Sequence, residues 1–232
     1  MEAAQPSNET ERLKALAEYR LLDTEFEQAY DDITALLAHV CGCPIVLIGL
    51  IDERRQWFKS KVGIPTAENR RDQTFCQHAI LQPDRMLVVD DATKDPRFAD
   101  LPAVTVEGGI RFYAGMPLTT PDGLPLGTLC MADAKPRQLG DDQLRVLRIL
   151  ARQVTSLFEL RRATFNLAQA LTKVKNLESI LPTCSYCKAI RDERGNWHSL
   201  EAYLDDRANV SLSHGICPDC LGKRRAERLA GN

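Results

Sequence analysis

Apolar residues recur along this chain at two different periods, and the switches between them mark its parts. Residues 9–22 place Leu13, Leu16, Tyr19 and Leu22 at helical spacing. Residues 25–40 do the same with Phe26, Ala29, Ile33, Leu36, Leu37 and Val40, predicting a second helix with that face buried. The run CPIVLIGLID (43–52) is continuously apolar and β-branched, as in a buried central strand. Asp52-Glu53-Arg54 predicts a tight turn and RQWFKSKVG a returning strand, so this stretch is a hairpin. Between 61 and 110 prolines and acidic turns interrupt the pattern. One short helix is expected over 74–81 and one short strand over 86–91. Strands over 110–120 and 124–133 flank Pro121-Asp122-Gly123, where proline fixes φ and glycine tolerates a positive φ. They make a second hairpin.

From 140 to about 180 the chain is helical and free of proline. Leu147, Leu150, Val154 and Leu157 form one apolar stripe, and Leu160, Leu167, Leu171, Val174 and Leu181 continue it in a shifted register. The stripe is too long to bury on one small sheet. Its distal half is expected to form a two-stranded coiled coil in a homodimer; the alternative is one amphipathic helix lying on its own domain. Pro182 ends the helix. Two helices, a hairpin, an irregular middle, a hairpin and a long helix give an α+β fold, a mostly antiparallel sheet with helices segregated on its faces. The expected segments are a disordered 1–8, a domain over 9–160, a linker helix over 161–181, a cysteine-bearing module over 182–222 and a basic tail over 223–232.

Composition narrows the setting. A 44% hydrophobic share supports a real core, and a net charge of -2 gives no global pull toward nucleic acid or an anionic membrane. No apolar run is long enough to span a bilayer, and the polar, acidic start lacks the apolar core of a signal peptide. A cytoplasmic location is therefore expected. A reducing compartment disfavours disulfides, so the eight cysteines are expected to be metal ligands, reactive thiols or core residues.

The segments RLKALAEYRLLDTEFEQAYDDIT, PIVLIGLIDERRQWFKSKVG, RDQTFCQHAI, VVDDATKDPRFAD, IRFYAGMPL and DGLPLGTLCMAD together resemble the GAF domain, in the bacterial subgroup placed before signalling outputs. The resemblance runs from about 9 to 160. It implies a central antiparallel sheet, a helical layer that dimerises and a small-molecule pocket on the other face, without naming a ligand. Members that bind bilins place the attachment cysteine beside a histidine, whereas one residue separates Cys76 from His78 here. The cyclic-nucleotide signature is missing. Stand-alone members that reduce free methionine sulfoxide use paired cysteines, a role open to Cys76 and Cys130. The region 177–220 resembles a cysteine-rich tail that follows sensor domains in some bacterial signalling proteins.

Three constellations carry candidate chemistry. Cys184/Cys187 and Cys217/Cys220 are two C-x-x-C pairs, suited to one structural, tetrahedral Zn²⁺ per chain, each pair aiming two sulfurs at one point. Residues 188–216 separate them, more than the roughly 15–20 of a simple ribbon. Trp197, Leu200, Tyr203 and Leu204 within that insert fall at helical spacing and are expected to pack around the site. His214 is placed to replace a cysteine, to donate to a sulfur or to cap a turn. In TFCQH, Thr74 is expected to cap a helix with Cys76 in its first turn, where the dipole lowers a thiol pKa. Cys76 and His78, two positions apart, point away from each other and do not form a catalytic pair. Phe75, Cys76, His78, Arg111, Tyr113 and Cys130 either line a small-ligand pocket or pack as core; oxidation of a thiol is the third possibility. Cys41 and Cys43 are expected to be core. There is no P-loop, dinucleotide turn, kinase phosphoacceptor box or diguanylate-cyclase signature, so no enzyme is expected. The reading is a sensory protein that contacts a signalling partner through its zinc module. The alternatives are a thiol enzyme of the free methionine sulfoxide reductase type and a zinc-dependent nucleic-acid regulator. The near balance of acids and bases beyond Pro182 argues against the last, leaving KRRAER as its one basic cluster.

Overall fold

Both expected hairpins form, and they sit at the centre of one sheet. The structure, a computed structural model, describes residues 5–178, 181–192, 194–207 and 215–230. It divides into two units, Met1–Leu167 and Ala168–Asn232. The strands of the first are β1 (Ile45–Ile51), β2 (Arg55–Val62), β3 (Glu68–Arg70), β4 (Leu87–Val89), β5 (Phe112–Thr119) and β6 (Pro125–Asp133). They lie in the order β3-β2-β1-β6-β5-β4, every neighbouring pair antiparallel. β3 is too short and polar to show in the apolar pattern. The turn between β5 and β6 behaves as expected: Gly123 has φ 82° and donates its N–H to Thr120 O.

Alternation along the strands builds a core on each face. Val46, Ile48 and Leu50 of β1 pack with Leu16, Tyr30, Leu37, Leu147, Val154 and Phe158 from a helical layer. That layer is α1 (Glu9–Tyr19), α2 (Gln28–Cys41) and the first half of α5 (Asp141–Glu178). On the opposite face Leu47, Ile51, Phe58, Tyr113 and Cys130 pack under α3 (Phe75–Ala79) and the segment carrying α4 (Pro102–Thr105), which includes Phe98 and Val104. Cys41 and Cys43 are buried in the helical-side core, as expected.

Two helical expectations need correction. The first helix stops at Tyr19, not at 22: Arg20 takes a left-handed φ of 51° and donates to Ala17 O, sending Leu21 out of the helix and into the core. In α2 the buried face is Tyr30, Thr34, Leu37 and Cys41, while Leu36 and Val40, and Phe26 just before the helix, are exposed. Thr34 is buried because its hydroxyl pairs with Ser60 Oγ of β2 at 2.8 Å.

Buried charges bind the layers together. Arg12 is fully buried, donating to Ile51 O at 2.7 Å and to both oxygens of Glu9. Arg71, in a single 3₁₀ turn (Arg71–Gln73), reaches the same carboxylate at 2.5 Å. Burial works against the charge on Glu9, but hydrogen bonds and charges from Arg12 and Arg71 prevail and hold it at about 2. Fully buried Lys59 pairs with Glu27 at 2.6 Å, and Glu27 also pairs with Arg161 of α5. Tyr30 meets the Phe158 ring at 5.6 Å.

The second unit holds β7 (Ile190–Arg191) paired with β8 (Trp197–His198), then α6 (Leu200–Arg207) and α7 (Pro218–Ala230). Trp197 lies in a strand, not on the helix with Leu200, Tyr203 and Leu204; it and Leu200 are exposed and the other two are half-buried. Along α5 the stripe Leu147, Leu150, Val154 is buried with Ala151 and Phe158, whereas Leu160, Leu167 and Leu171 are exposed. The side chain of Val174 and residues 1–4 and 208–214, with His214, lie outside the described residues. No helix among the described residues is long and apolar enough to cross a membrane.

Candidate functional site: a buried thiol centre and two cysteine turns

Thr74 caps α3 as its sequence suggests, its hydroxyl accepting the Gln77 N–H at 3.3 Å. That cap sets Cys76 on the first turn, pointing down onto the sheet. Four side chains converge on its sulfur. Gln56 Nε2 donates at 2.9 Å and Thr128 Oγ1 at 3.1 Å. Tyr113 OH lies at 3.2 Å and Cys130 Sγ at 3.7 Å. Burial disfavours a charged sulfur, yet the hydrogen bonds from Cys130, Thr128, Tyr113 and Gln56 outweigh it and bring Cys76 down to about 7. Cys130 goes the other way: its hydrogen bond to Cys76, then burial, push its thiol well up. Burial and the neighbouring sulfur charges push the Tyr113 phenol up as well. One sulfur in this group is suited to carry negative charge, with protonated neighbours aimed at it.

Two glycines make the arrangement possible. A Cβ at Gly49 would stand 2.3 Å from Gln56 Nε2, and a Cβ at Gly115 would stand 2.2 Å from the Tyr113 hydroxyl. Both donors occupy space that any other residue would fill. Phe75 stacks on Tyr113 with centroids 4.8 Å apart and touches Phe98 at 4.5 Å, which closes the centre from the helix side.

A cavity of about 80 Å³ adjoins the centre, lined by Gln56, Asn69, Phe75, Cys76, Tyr113 and Cys130 among others. Of the residues singled out in the sequence, Phe75, Cys76, Tyr113 and Cys130 come together here. His78 lies on the other side of α3, edge-on to Phe98 at 4.9 Å, in a separate hollow with Arg97. Burial and then the Arg97 charge hold it below the usual histidine range. Arg111 turns to backbone, donating to Val104 O at 2.7 Å and Ile110 O at 3.2 Å, and so braces the loop before β5. Gln56 and Thr128 escape sequence reasoning. Thr128 carries one signal, a polar residue in the middle of the apolar strand β6, whereas Gln56 in the polar-rich β2 carries none.

In the second unit each C-x-x-C pair forms a turn whose amides favour charge on its first sulfur. Cys184 is lowered by the backbone N–H groups of Cys187 and Tyr186, then by the Cys187 side chain and the Lys188 N–H. The turn closes with Lys188 N–H donating to Cys184 O at 3.0 Å, Lys188 taking a left-handed φ of 64°. Cys217 precedes α7 and is lowered by the Cys220 N–H and side chain. These amides suit sulfur ligands of a metal. Among the described residues no group of three or more His, Cys, Asp or Glu side chains is placed to hold a metal ion.

The profile of the GAF domain family matches residues 25–157, more than half of the chain. The chain belongs to the GAF domain family. It is 38% identical over 160 residues to a cyclic di-GMP phosphodiesterase of Pseudomonas aeruginosa, an alignment that takes 68% of this chain and 27% of that protein. The chain therefore matches only about a quarter of that relative's length. Among solved structures it is similar to a domain of a two-component sensor histidine kinase protein from Sinorhizobium meliloti, with TM-score 0.52, 20% identity and coverage of 63% of this chain and 99% of that one. It is also similar to the GAF domain of an Acinetobacter phosphoenolpyruvate-protein phosphotransferase, with TM-score 0.50, 15% identity and coverage of 68% and 96%. At these identities the two structures share the fold.

Proposed function

We propose that this chain is a sensory module of bacterial signalling. It takes its input at the cavity beside Cys76 and passes it along α5 to a zinc-stapled segment that contacts a partner protein. The observation that carries the reading is a polar centre built inside an apolar core: four donors converge on one buried sulfur, next to a cavity, on the sheet face away from the helical layer. Polar groups are costly to bury and are arranged so densely where they meet something. Identity to a protein named for a bacterial second messenger supports the signalling setting. Its phosphodiesterase activity is not carried over.

In this reading zinc bridges the two cysteine turns and staples a segment too small to fold on a hydrophobic core alone. When bound it supplies structure, because a four-sulfur site has no open position for water. His214 stands three residues before Cys217 in the sequence. The exposed Leu160, Leu167 and Leu171 support a homodimer along α5. A second reading, a thiol enzyme of the free methionine sulfoxide reductase type, draws on the Cys76–Cys130 approach. The long α5 helix and the cysteine-bearing segment after it do not fit that compact enzyme, which favours the sensor.

Native mass spectrometry of the purified chain tests the proposal by reporting oligomer, metal and retained small molecule together. A dimer with one zinc per chain is expected. A metal-free monomer that turns over methionine sulfoxide would overturn it in favour of the enzyme.

A further inference from the structure

The sulfurs of Cys76 and Cys130 stand 3.7 Å apart inside the first unit, and neither has another cysteine beside it among the described residues. We propose that this pair is an oxidation site for a small hydroperoxide, with Cys76 the sulfur oxidised first and Cys130 the sulfur that closes an intrachain disulfide. The inference rests on the sensory reading of the same cavity and names its input.

Four observations carry it. The distance is the first: a bond at about 2.05 Å requires the sulfurs to close by little more than about 1.6 Å, within the play of the short helix that holds Cys76. The second is asymmetry. Cys76 receives Gln56, Thr128 and Tyr113 donors, which hold it as the nucleophilic thiolate near neutral pH, while Cys130 stays protonated. The third is access. The cavity is lined by both cysteines and is large enough for a hydroperoxide group. The fourth is an internal comparison. Cys41 and Cys43 are equally buried in the opposite core, yet burial leaves both thiols raised, Cys43 to about 11, with no cluster of donors.

The chemistry balances. The Cys76 thiolate attacks the outer oxygen of the hydroperoxide; an S–O bond forms, the O–O bond breaks, and the departing alkoxide or hydroxide takes a proton, giving an alcohol or water. Cys76 is then a sulfenic acid. Cys130 attacks that sulfur; the S–S bond forms, the S–O bond breaks, and the leaving hydroxide departs as water with the Cys130 proton. Two thiols lose two hydrogens and one hydroperoxide becomes an alcohol, or water, plus water. A dithiol reductant reverses the disulfide by exchange.

The experiment treats the full-length, fully reduced chain with hydrogen peroxide, blocks remaining thiols under denaturing conditions and maps the peptides by mass spectrometry. A crosslink between the Cys76 and Cys130 peptides, lost on treatment with dithiothreitol, is expected. Cys130→Ser is expected to lose the crosslink and to leave Cys76 trapped by dimedone as sulfenic acid. Oxidation confined to Cys184/Cys187 and Cys217/Cys220, with Cys76 and Cys130 both recovered as thiols, would overturn the proposal. The wild-type map needs no variant to fold. It is read on the chain itself, so it succeeds or fails independently of whether any partner responds.

Discussion

Gln56 donates to the sulfur of Cys76 over 2.9 Å through space left open by Gly49. The two residues sit on different elements, β2 and α3, and only a missing side chain on β1 lets them meet. Gly49→Ala is therefore expected to displace the amide and raise the Cys76 thiol above about 7. Gly115→Ala acts in the same direction through Tyr113. The pH dependence of Cys76 alkylation by iodoacetamide measures this. Its midpoint should move up, and the rate at neutral pH should fall about fivefold for the first pH unit by which the midpoint rises and about tenfold for a further one. An unmoved midpoint in both variants would show that these donors do not set the thiol.

Glu9 joins two buried guanidiniums and should govern acid stability. Its carboxyl is depressed from 4.5 to about 2, so its contribution is complete above the unfolded value and is lost as pH falls through the folded one. Wild-type urea midpoints are expected to fall as pH drops from about 4.5 to about 2. Glu9→Gln should flatten that slope relative to wild type, and at neutral pH should cost about 3–5 kcal/mol by leaving Arg12 and Arg71 short of their counter-charge.

The sheet was legible because its central strands are apolar on both faces, and a run such as IVLIGLI has few other uses. The helix faces were less so. Over 25–40 the apolar spacing groups Phe26, Leu36 and Val40 with Leu37, but only Leu37 of these is buried, beside Thr34, whose hydroxyl pairs with Ser60 across 26 positions of sequence. No sequence pattern marks Arg12 and Lys59 as buried, because Ile51 O and Glu27 become their partners only on folding. The site was half legible. Thr74 and Cys76 announce themselves through local capping chemistry. Gln56, Thr128, Gly49 and Gly115 act through long-range approach, which no local pattern carries. Position along the chain groups His78 and Arg111 with the pocket, and geometry turns both elsewhere.

If zinc bridges the cysteine turns, Cys187→Ser should lose the metal and unfold the segment from 182 to 220. The melting of the sheet unit should change by less than a few degrees, since its core draws on residues of the first unit alone. Metal content by mass spectrometry, read beside thermal unfolding followed at Trp57 and Trp197, checks both halves. Zinc retained at full occupancy in the variant would contradict the assignment.

Dimerisation along α5 predicts that Leu171→Glu weakens self-association by at least about tenfold, because a seam position cannot solvate an unpaired charge. Leu171 is exposed in the single chain, so the fold of the monomer should survive. Analytical ultracentrifugation separates the outcomes. Equal association constants for the variant and wild type would remove α5 from the interface.

The central claim is that a chemical event beside Cys76 is felt beyond Leu167. Hydrogen–deuterium exchange on the full chain, before and after capping Cys76 with methyl methanethiosulfonate, tests it most directly, with Cys76→Ser as the control for reaction at the tail cysteines. The account predicts changed exchange in residues 168–178 and in the cysteine turns as well as around the cavity, and no such change in the control. Altered exchange confined to residues 45–133, with the distal half of α5 unmoved, would contradict it.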